Sequence, residues 1–397
     1  MPFRRATGLA AAVFIAVACA GQPPQISRAT PLSTAPPDRA PVALPAGKVL
    51  FSKGGIDLWT AAPDGTGRAA VTSDGAASGG YLGARWNPDG TLIAAERAIP
   101  GEGGTSLFVI RPGSPPGTPP VRLTKPDTFL DGYAWSPDGR YLTYGEVISG
   151  GTAASGGSLA GAVGDVHLYD VTTATDMVVG PGTHPAFTPD GTRLGYAHVS
   201  GAIALADLRV LASGRPKEFP TQMLATLADL SRYSTTSAPR GMGLIGGPQF
   251  SADGKLVAYA AIEKGPILDA VQLVYTQELV AGAPPKVWVI GKTGAVHHVA
   301  ELRWSPTASL LAYSIINAQP HHHWLSVIDP AGGLRRELYD SAKHFLDFTW
   351  SPDGAVILVQ VDDGDEWLYF RPDRSGPIGR VAPGGWRPDW CRCAPRA

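Results

Sequence analysis

Tyr133-Ala-Trp135-Ser-Pro-Asp-Gly139-Arg-Tyr141-Leu-Thr-Tyr144 reads as two short apolar strands folded about a tight turn. Proline presets the backbone at the first corner, aspartate bonds the backbone locally, and glycine takes the left-handed angle that closes a hairpin. The unit recurs as Trp86-Asn-Pro-Asp-Gly90, Phe187-Thr-Pro-Asp-Gly191, Phe250-Ser-Ala-Asp-Gly254, Trp304-Ser-Pro-Thr307 and Trp350-Ser-Pro-Asp-Gly354. The six aromatics are spaced 49, 52, 63, 54 and 46 residues apart. A repeat of that period sets the architecture of the whole chain.

Around the hairpins further strands recur. Third strands are read at Ile56–Trp59, Leu107–Ile110, Val166–Tyr169, Ile203–Ala206, Val287–Ile290, Trp324–Ile328 and Trp367–Phe370. Polar turns such as Ala62-Pro-Asp-Gly65 follow, then short fourth strands such as Val121–Thr124, with a weak one near Gln222-Met-Leu. Four antiparallel strands every ~40–50 residues is the pattern of a β-propeller blade. The N-terminal strands from Lys48 lack a first strand, while Gly384-Gly-Trp386-Arg-Pro-Asp389 resembles a first strand and turn with nothing after it. Joined, the two ends make one blade, closing the ring near Trp386 and removing the sheet edges that invite aggregation. The expected fold is therefore an all-β, seven-bladed propeller over residues 47–397, with six blades as the alternative.

The Trp/Phe-Ser-Pro-Asp-Gly-x-x-(Leu/Ile)-Ala-Tyr unit resembles the WD40-like (PD40) repeats of TolB-type propellers, and similar blades occur in prolyl oligopeptidase-type peptidases. The resemblance covers most of residues 48–390 and implies a propeller. TolB proteins carry an α/β domain before theirs, and no such segment is read here. The Gly-x-Ser-x-Gly elbow of a hydrolase domain is likewise not found.

Charged residues make up 17% of the chain and the formal charge is −1, so neither balance nor clustering points to nucleic acid. The 49 Gly and 37 Pro suit a chain built from many short turns. Arg4 and Arg5 precede an apolar run, Gly8–Ala18, too short to span a bilayer, and Cys19 follows it. Residues 1–20 are thus expected to be a lipoprotein-type signal peptide with Cys19 as the lipid acceptor, the rival reading being simple cleavage after Ala20. Residues 21–46, rich in Pro, Ala, Ser and Thr, read as a flexible tether. The expected location is the cell envelope, lipid-anchored at the membrane, or secreted if Cys19 is not modified.

In a propeller the Pro-Asp-Gly turns share one rim. The long insertions, Glu146–Gly164, Asp229–Pro248, Glu263–Pro285 and Asn317–His323, fall on the other, where binding commonly resides. Within them Leu268–Val280 reads as a helix or an extra hairpin. That rim carries His184, His321, His322, His323 and His344, imidazoles of the kind that bind transition metals. It also carries Asp362, Asp363, Asp365 and Glu366, an acidic cluster with a turn glycine. The ordinary readings are a solvated polar loop and a hydrated hairpin tip. His297-His298 read as part of a fourth strand. Cys391 and Cys393 are expected as a small-ring disulfide or as spare thiols.

No cofactor and no catalytic residue is expected. The favoured function is a monomeric, non-enzymatic envelope lipoprotein that binds a protein, peptide or cell-wall ligand through the long-loop rim and meets the membrane only through its anchor. The alternative is an extracytoplasmic hydrolase or lyase, with or without a metal, working at the channel mouth.

Overall fold

The computed structural model describes residues 44–114, 118–126, 128–148, 164–232, 241–264, 270–280, 282–293, 297–318, 321–342, 347–361 and 366–391. Each Pro-Asp-Gly unit forms the turn its residues demand. Ser136 Oγ donates to Asp138 Oδ1 (2.5 Å) and accepts from the Tyr141 amide (2.8 Å), while Gly139 N donates to Ser136 O (2.9 Å). The same hydroxyl–carboxylate pairs hold the turns at Thr188, Ser251 and Ser351. Gly90, Gly139, Gly191, Gly254 and Gly354 all have φ between 68° and 73°, the region where a side chain would be strained.

Every strand pairing is antiparallel, and the described strands form six sheets, four of four strands, one of five and one of seven. The first blade takes Trp386–Cys391 as its inner strand, followed outward by Lys48–Lys53, Asp57–Ala61 and Ala69–Ala70. The chain's two ends are therefore hydrogen-bonded, with Val49 opposite Trp390 and Leu50 opposite Asp389. The second blade runs from Tyr81–Trp86 to Val121–Arg122. Thr175–Phe187 is both the outer strand of the third blade and the inner strand of the fourth, joining the two into one seven-stranded sheet. In the fifth blade Gly241–Leu244 and Gln249–Phe250 share one edge of Leu256–Lys264. The sixth and seventh blades begin at His297–Trp304 and Phe348–Trp350.

Successive inner strands touch in a closed circle. The repeat aromatics help to hold it. The indole N–H of Trp135 donates to the carbonyl of Arg85 (3.2 Å), that of Trp304 to Gln249 (2.9 Å) and that of Trp350 to Arg303 (3.1 Å). Each bond thus links an anchor to the residue just before the anchor of the preceding blade. Between blades the sheets bury apolar faces, and the second strands of the third to sixth blades each bring in a fully buried tyrosine, Tyr144, Tyr196, Tyr259 and Tyr313.

Four local readings need correction. Leu268–Val280 is neither helix nor extra hairpin. Ala270–Glu278 is the third strand of the fifth blade, paired on both sides, and Lys286–Thr293, which contains the expected third strand, is the fourth. The unbroken run of buried residues from Gln272 to Gln277 fits a strand buried on both faces. His297 and His298 open the inner strand of the sixth blade instead of belonging to a fourth strand. In the closing blade Trp386-Arg-Pro-Asp389 is strand and not turn, and Trp390 takes the anchor position. His321, His322 and His323 lie in the strand His321–Asp329, not in a loop before it.

Candidate functional site

The inner strands enclose a cavity of about 1200 Å³ along the propeller axis. Strand alternation decides what faces it. The residues one and three places before each aromatic anchor point inward: Arg85 and Gly83, Ala134 and Gly132, Ala186 and His184, Gln249 and Gly247, Arg303 and Glu301, Asp389 and Arg387, and in the seventh blade Asp347. The lumen is asymmetric. The third and fifth blades contribute mostly glycine and small or neutral side chains, whereas the sixth, seventh, first and second contribute the charges.

β-Bulges tune this lining. Pairing registers break at Leu130/Tyr133, Thr183/Ala186 and Val299/Glu301, and between Leu50 and Ser52 opposite Arg387. A bulge re-aims side chains out of strict alternation, as it does for Tyr133, which also lines the cavity. His184 and Arg387 have φ of 51° and 48°, a left-handed conformation that costs a non-glycine residue about 1–2 kcal/mol. Both precede proline in a matching frame, His184-Pro-Ala-Phe187 and Arg387-Pro-Asp-Trp390. The fifth blade has glycine at that place, in Gly247-Pro-Gln-Phe250. The missing side chain at Gly83 leaves room for Arg387, and those at Gly132 and Gly247 leave room for His184.

The charges form a chain of contacts across the channel. Arg303 donates to Glu301 Oε1 (2.9 Å) and to Asp347 Oδ1 (2.8 Å). Arg387 Nη1 donates to Glu96 Oε2 (2.9 Å), and the Arg387 amide to Gln360 Oε1 (2.7 Å). Asp389 Oδ2 accepts from the Trp86 amide (2.8 Å). Arg85 stands 3.7 Å from Glu301, three blades away on the ring, and 3.7 Å from Asp389. His184 Nδ1 lies 3.2 Å from Asp131 Oδ2.

These groups are enclosed by protein yet still meet the solvent that the cavity admits, so their charges interact strongly. Burial works to raise the Glu301 carboxyl, but Arg303 and Arg85 outweigh it and hold it below the usual carboxylate range. Burial lifts the neighbouring Asp347 carboxyl, and Arg303 does not fully draw it back while Glu301 pushes it further up. Burial disfavours a charged Arg85, but Glu301, Asp347 and Asp389 more than compensate and keep it cationic. Burial likewise lowers His184, yet Asp131 outweighs it and the imidazole ends above its ordinary value. Burial raises the Tyr133 phenol well above normal, so it is a neutral hydroxyl.

Of the residues singled out from sequence, His184 lies in the channel wall. His323 is buried within its strand, away from that wall. His321 and His322 share that strand, and Glu366 begins an outer strand where Arg380 lies 3.5 Å away. Cys391 is disulfide-bonded. Cys19, His344, Asp362, Asp363, Asp365 and Cys393 lie outside the described residues. Among the described residues no three His, Cys, Asp or Glu side chains are placed to hold a metal ion, and no helix is long and apolar enough to cross a membrane. The channel charges were missed by the sequence reading, although a signal existed: the two inward positions of every repeat can be counted back from its aromatic.

Antiparallel four-stranded units arranged in a ring and closed by strands from both ends leave one architecture. The chain is a β-propeller. A structure provisionally named 6-phosphogluconolactonase from Bacteroides uniformis aligns with 86% of this chain and 98% of its own, at 13% identity and a TM-score of 0.50. TolB from Acinetobacter baumannii aligns over 87% of this chain at 13% identity and a TM-score of 0.43, with the match spanning 66% of its length. The Cps50 propeller domain from Myceliophteria thermophila aligns over 77% of this chain and 86% of its own, at 12% identity and a TM-score of 0.45. No family model matches the chain, and no curated protein matches it in sequence. At these identities the likeness is one of fold.

Proposed function

We propose that this propeller is a ligand-binding module of the cell envelope, tethered by lipid on Cys19, and that it takes its ligand into the central channel. The observation that carries this reading is the cavity of about 1200 Å³ whose wall concentrates Arg85, Arg303, Arg387, Glu301, Asp347 and Asp389. Enclosed cavities with a few convergent polar groups are the usual form of ligand sites. The bulged, left-handed His184 and Arg387 support it, since backbone strain is often kept where a side chain must be aimed. The rim histidines and carboxylates lend less support, because those described do not converge on one another.

Two variants of the full chain separate the channel from the rim. Gln249→Trp fills the lumen, whereas His321→Ala/His322→Ala alters only the long-loop side. Small molecules and peptides retained from envelope extract, read by mass spectrometry, should be lost with the first and kept with the second; the reverse pattern returns the site to the rim. Cys19→Ala should move the protein from the membrane fraction to the soluble one, and unchanged fractionation refutes the anchor.

One observation favours a second reading. Glu301 and Asp347 share Arg303, yet one carboxyl is held below and the other above its ordinary range. Carboxylates driven apart in this way can divide base and acid roles in a hydrolase or lyase. In that case Asp347→Asn lowers the turnover of the retained ligand by more than it lowers its retention.

A further inference from the structure

The distribution of partners within the channel narrows the ligand. Arg303 is engaged by Glu301 and Asp347, and Arg387 by Glu96. Arg85 differs. Its guanidinium lies 3.7 Å from each carboxylate it faces and makes no hydrogen bond among the described residues. A guanidinium has five N–H donors in a planar fork that matches a carboxylate bidentately, and with about 31% of its side chain exposed this one is within reach of a molecule in the cavity. Across from it, Glu301 and Asp347 each give only one oxygen to Arg303. The other two, Glu301 Oε2 and Asp347 Oδ2, accept nothing among the described residues. An accessible guanidinium and accessible carboxylates thus face each other, with Arg85 Nη2 and Glu301 Oε1 only 3.7 Å apart.

Resting on the channel reading above, we infer that the ligand carries a free α-amino-acid head, its carboxylate held by Arg85 and its ammonium by Glu301 and Asp347. An α-amino acid is the common group that places an ammonium and a carboxylate on one carbon, and so matches opposite charges this close. A phosphate dianion suits the site less well, because Glu301 and Asp389 flank Arg85 and repel a second negative charge. A simple carboxylate leaves the acceptors on Glu301 and Asp347 unfilled. Tyr133 also lines the cavity and brings a hydroxyl to its wall. The remaining cavity, lined toward the third to fifth blades by Gly132, Ala134, Ala186 and Gly247, accepts the rest of the molecule.

The test is calorimetric titration of the full-length protein with the twenty amino acids in both hands, and with the N-acetyl and the amide derivative of each one that binds. At least one amino acid should bind. Acetylation and amidation should each weaken it by about tenfold or more, the loss expected when one charge-assisted hydrogen bond is removed. Arg85→Gln should weaken the parent at least as much while leaving the amide derivative little changed, and Arg85→Lys should restore part of the affinity. An unchanged melting temperature for both variants shows that they are folded. Derivatives that bind as well as their parents overturn the inference, as does a set in which no amino acid binds. If no amino acid binds but a component of envelope extract is still retained in a manner abolished by Gln249→Trp, the ligand class is wrong and the channel reading stands. If neither is seen, both fail.

Discussion

Trp390 anchors the strand that closes the ring, and replacing it with alanine tests whether that strand is a full structural member. Its side chain is 6% exposed and packs with Val49, Phe51, Leu358, Trp367 and Tyr369, the last edge-on at a centroid distance of 6.2 Å. A buried aromatic of this size removes up to ~250 Å² from water, worth about 6 kcal/mol at 25 cal/mol per Å². Partial relaxation lowers the expected cost to about 3–5 kcal/mol. That is a large share of the 5–15 kcal/mol typical of a domain, and should lower the melting temperature of a propeller this size by roughly 4–7 °C. Trp350→Ala, at 5% exposure, is the matched control within an uninterrupted stretch of chain. The two should melt alike, but only Trp390→Ala should form oligomers in gel filtration, because loosening a terminal strand frees the edge of Lys48–Lys53. The phenylalanine variants refine the test. The Trp390 indole N–H has no hydrogen-bond partner among the described residues, whereas that of Trp350 donates to Arg303 O (3.1 Å). Trp350→Phe should therefore cost about 1 kcal/mol more than Trp390→Phe. A Trp390→Ala protein that melts within about 1 °C of the parent, a change below the ~1 kcal/mol scale of a single contact, refutes closure by this strand.

Three further outcomes are expected. The His184 pKa is raised in the folded chain by Asp131, so the stability it contributes is complete below its unfolded value of 6.5 and is lost as pH rises through the folded one. The melting-temperature advantage of the parent over His184→Gln should shrink between pH 6 and 9, and a constant difference contradicts the pairing. Ser136→Ala removes the bonds to Asp138 and to the Tyr141 amide from a buried turn, and should cost about 1–2 kcal/mol in urea denaturation. A methyl group at Gly247 would run into the carbonyl and Cβ of His184. Gly247→Ala should therefore destabilise by about 1–3 kcal/mol, and should perturb the His184 imidazole resonance in NMR. An unmoved resonance counts against that contact.

The Pro-Asp-Gly hairpins were legible because everything that makes them is local. Proline, aspartate and glycine act within five residues, and the hydrogen bonds of Ser136, Asp138 and Tyr141 never leave the turn. Ring closure was legible too, since an orphan strand at one end and a three-strand remnant at the other have one common solution. Readings failed where insertions stretched a blade. Between Phe250 and Trp304 the long third and fourth strands displaced the expected ones, because a strand buried on both faces lacks the alternation that marks a half-exposed strand.

The candidate site was illegible for a different reason. Arg387 and Glu96 are 291 residues apart, and Arg303 and Asp347 are 44, yet each pair is joined by a hydrogen bond. By itself the sequence determined the repeating hairpin, and through its period the propeller, because turn chemistry and strand alternation are properties of adjacent residues. Only the tertiary structure decided that the charges converge. Curling the blades into a ring brings the inward positions of every repeat onto one axis, and β-bulges select which side chains face the cavity. Whether an arginine there is hydrogen-bonded, as Arg303 is, or stands 3.7 Å from its carboxylates, as Arg85 does, depends on neighbours that no single repeat contains.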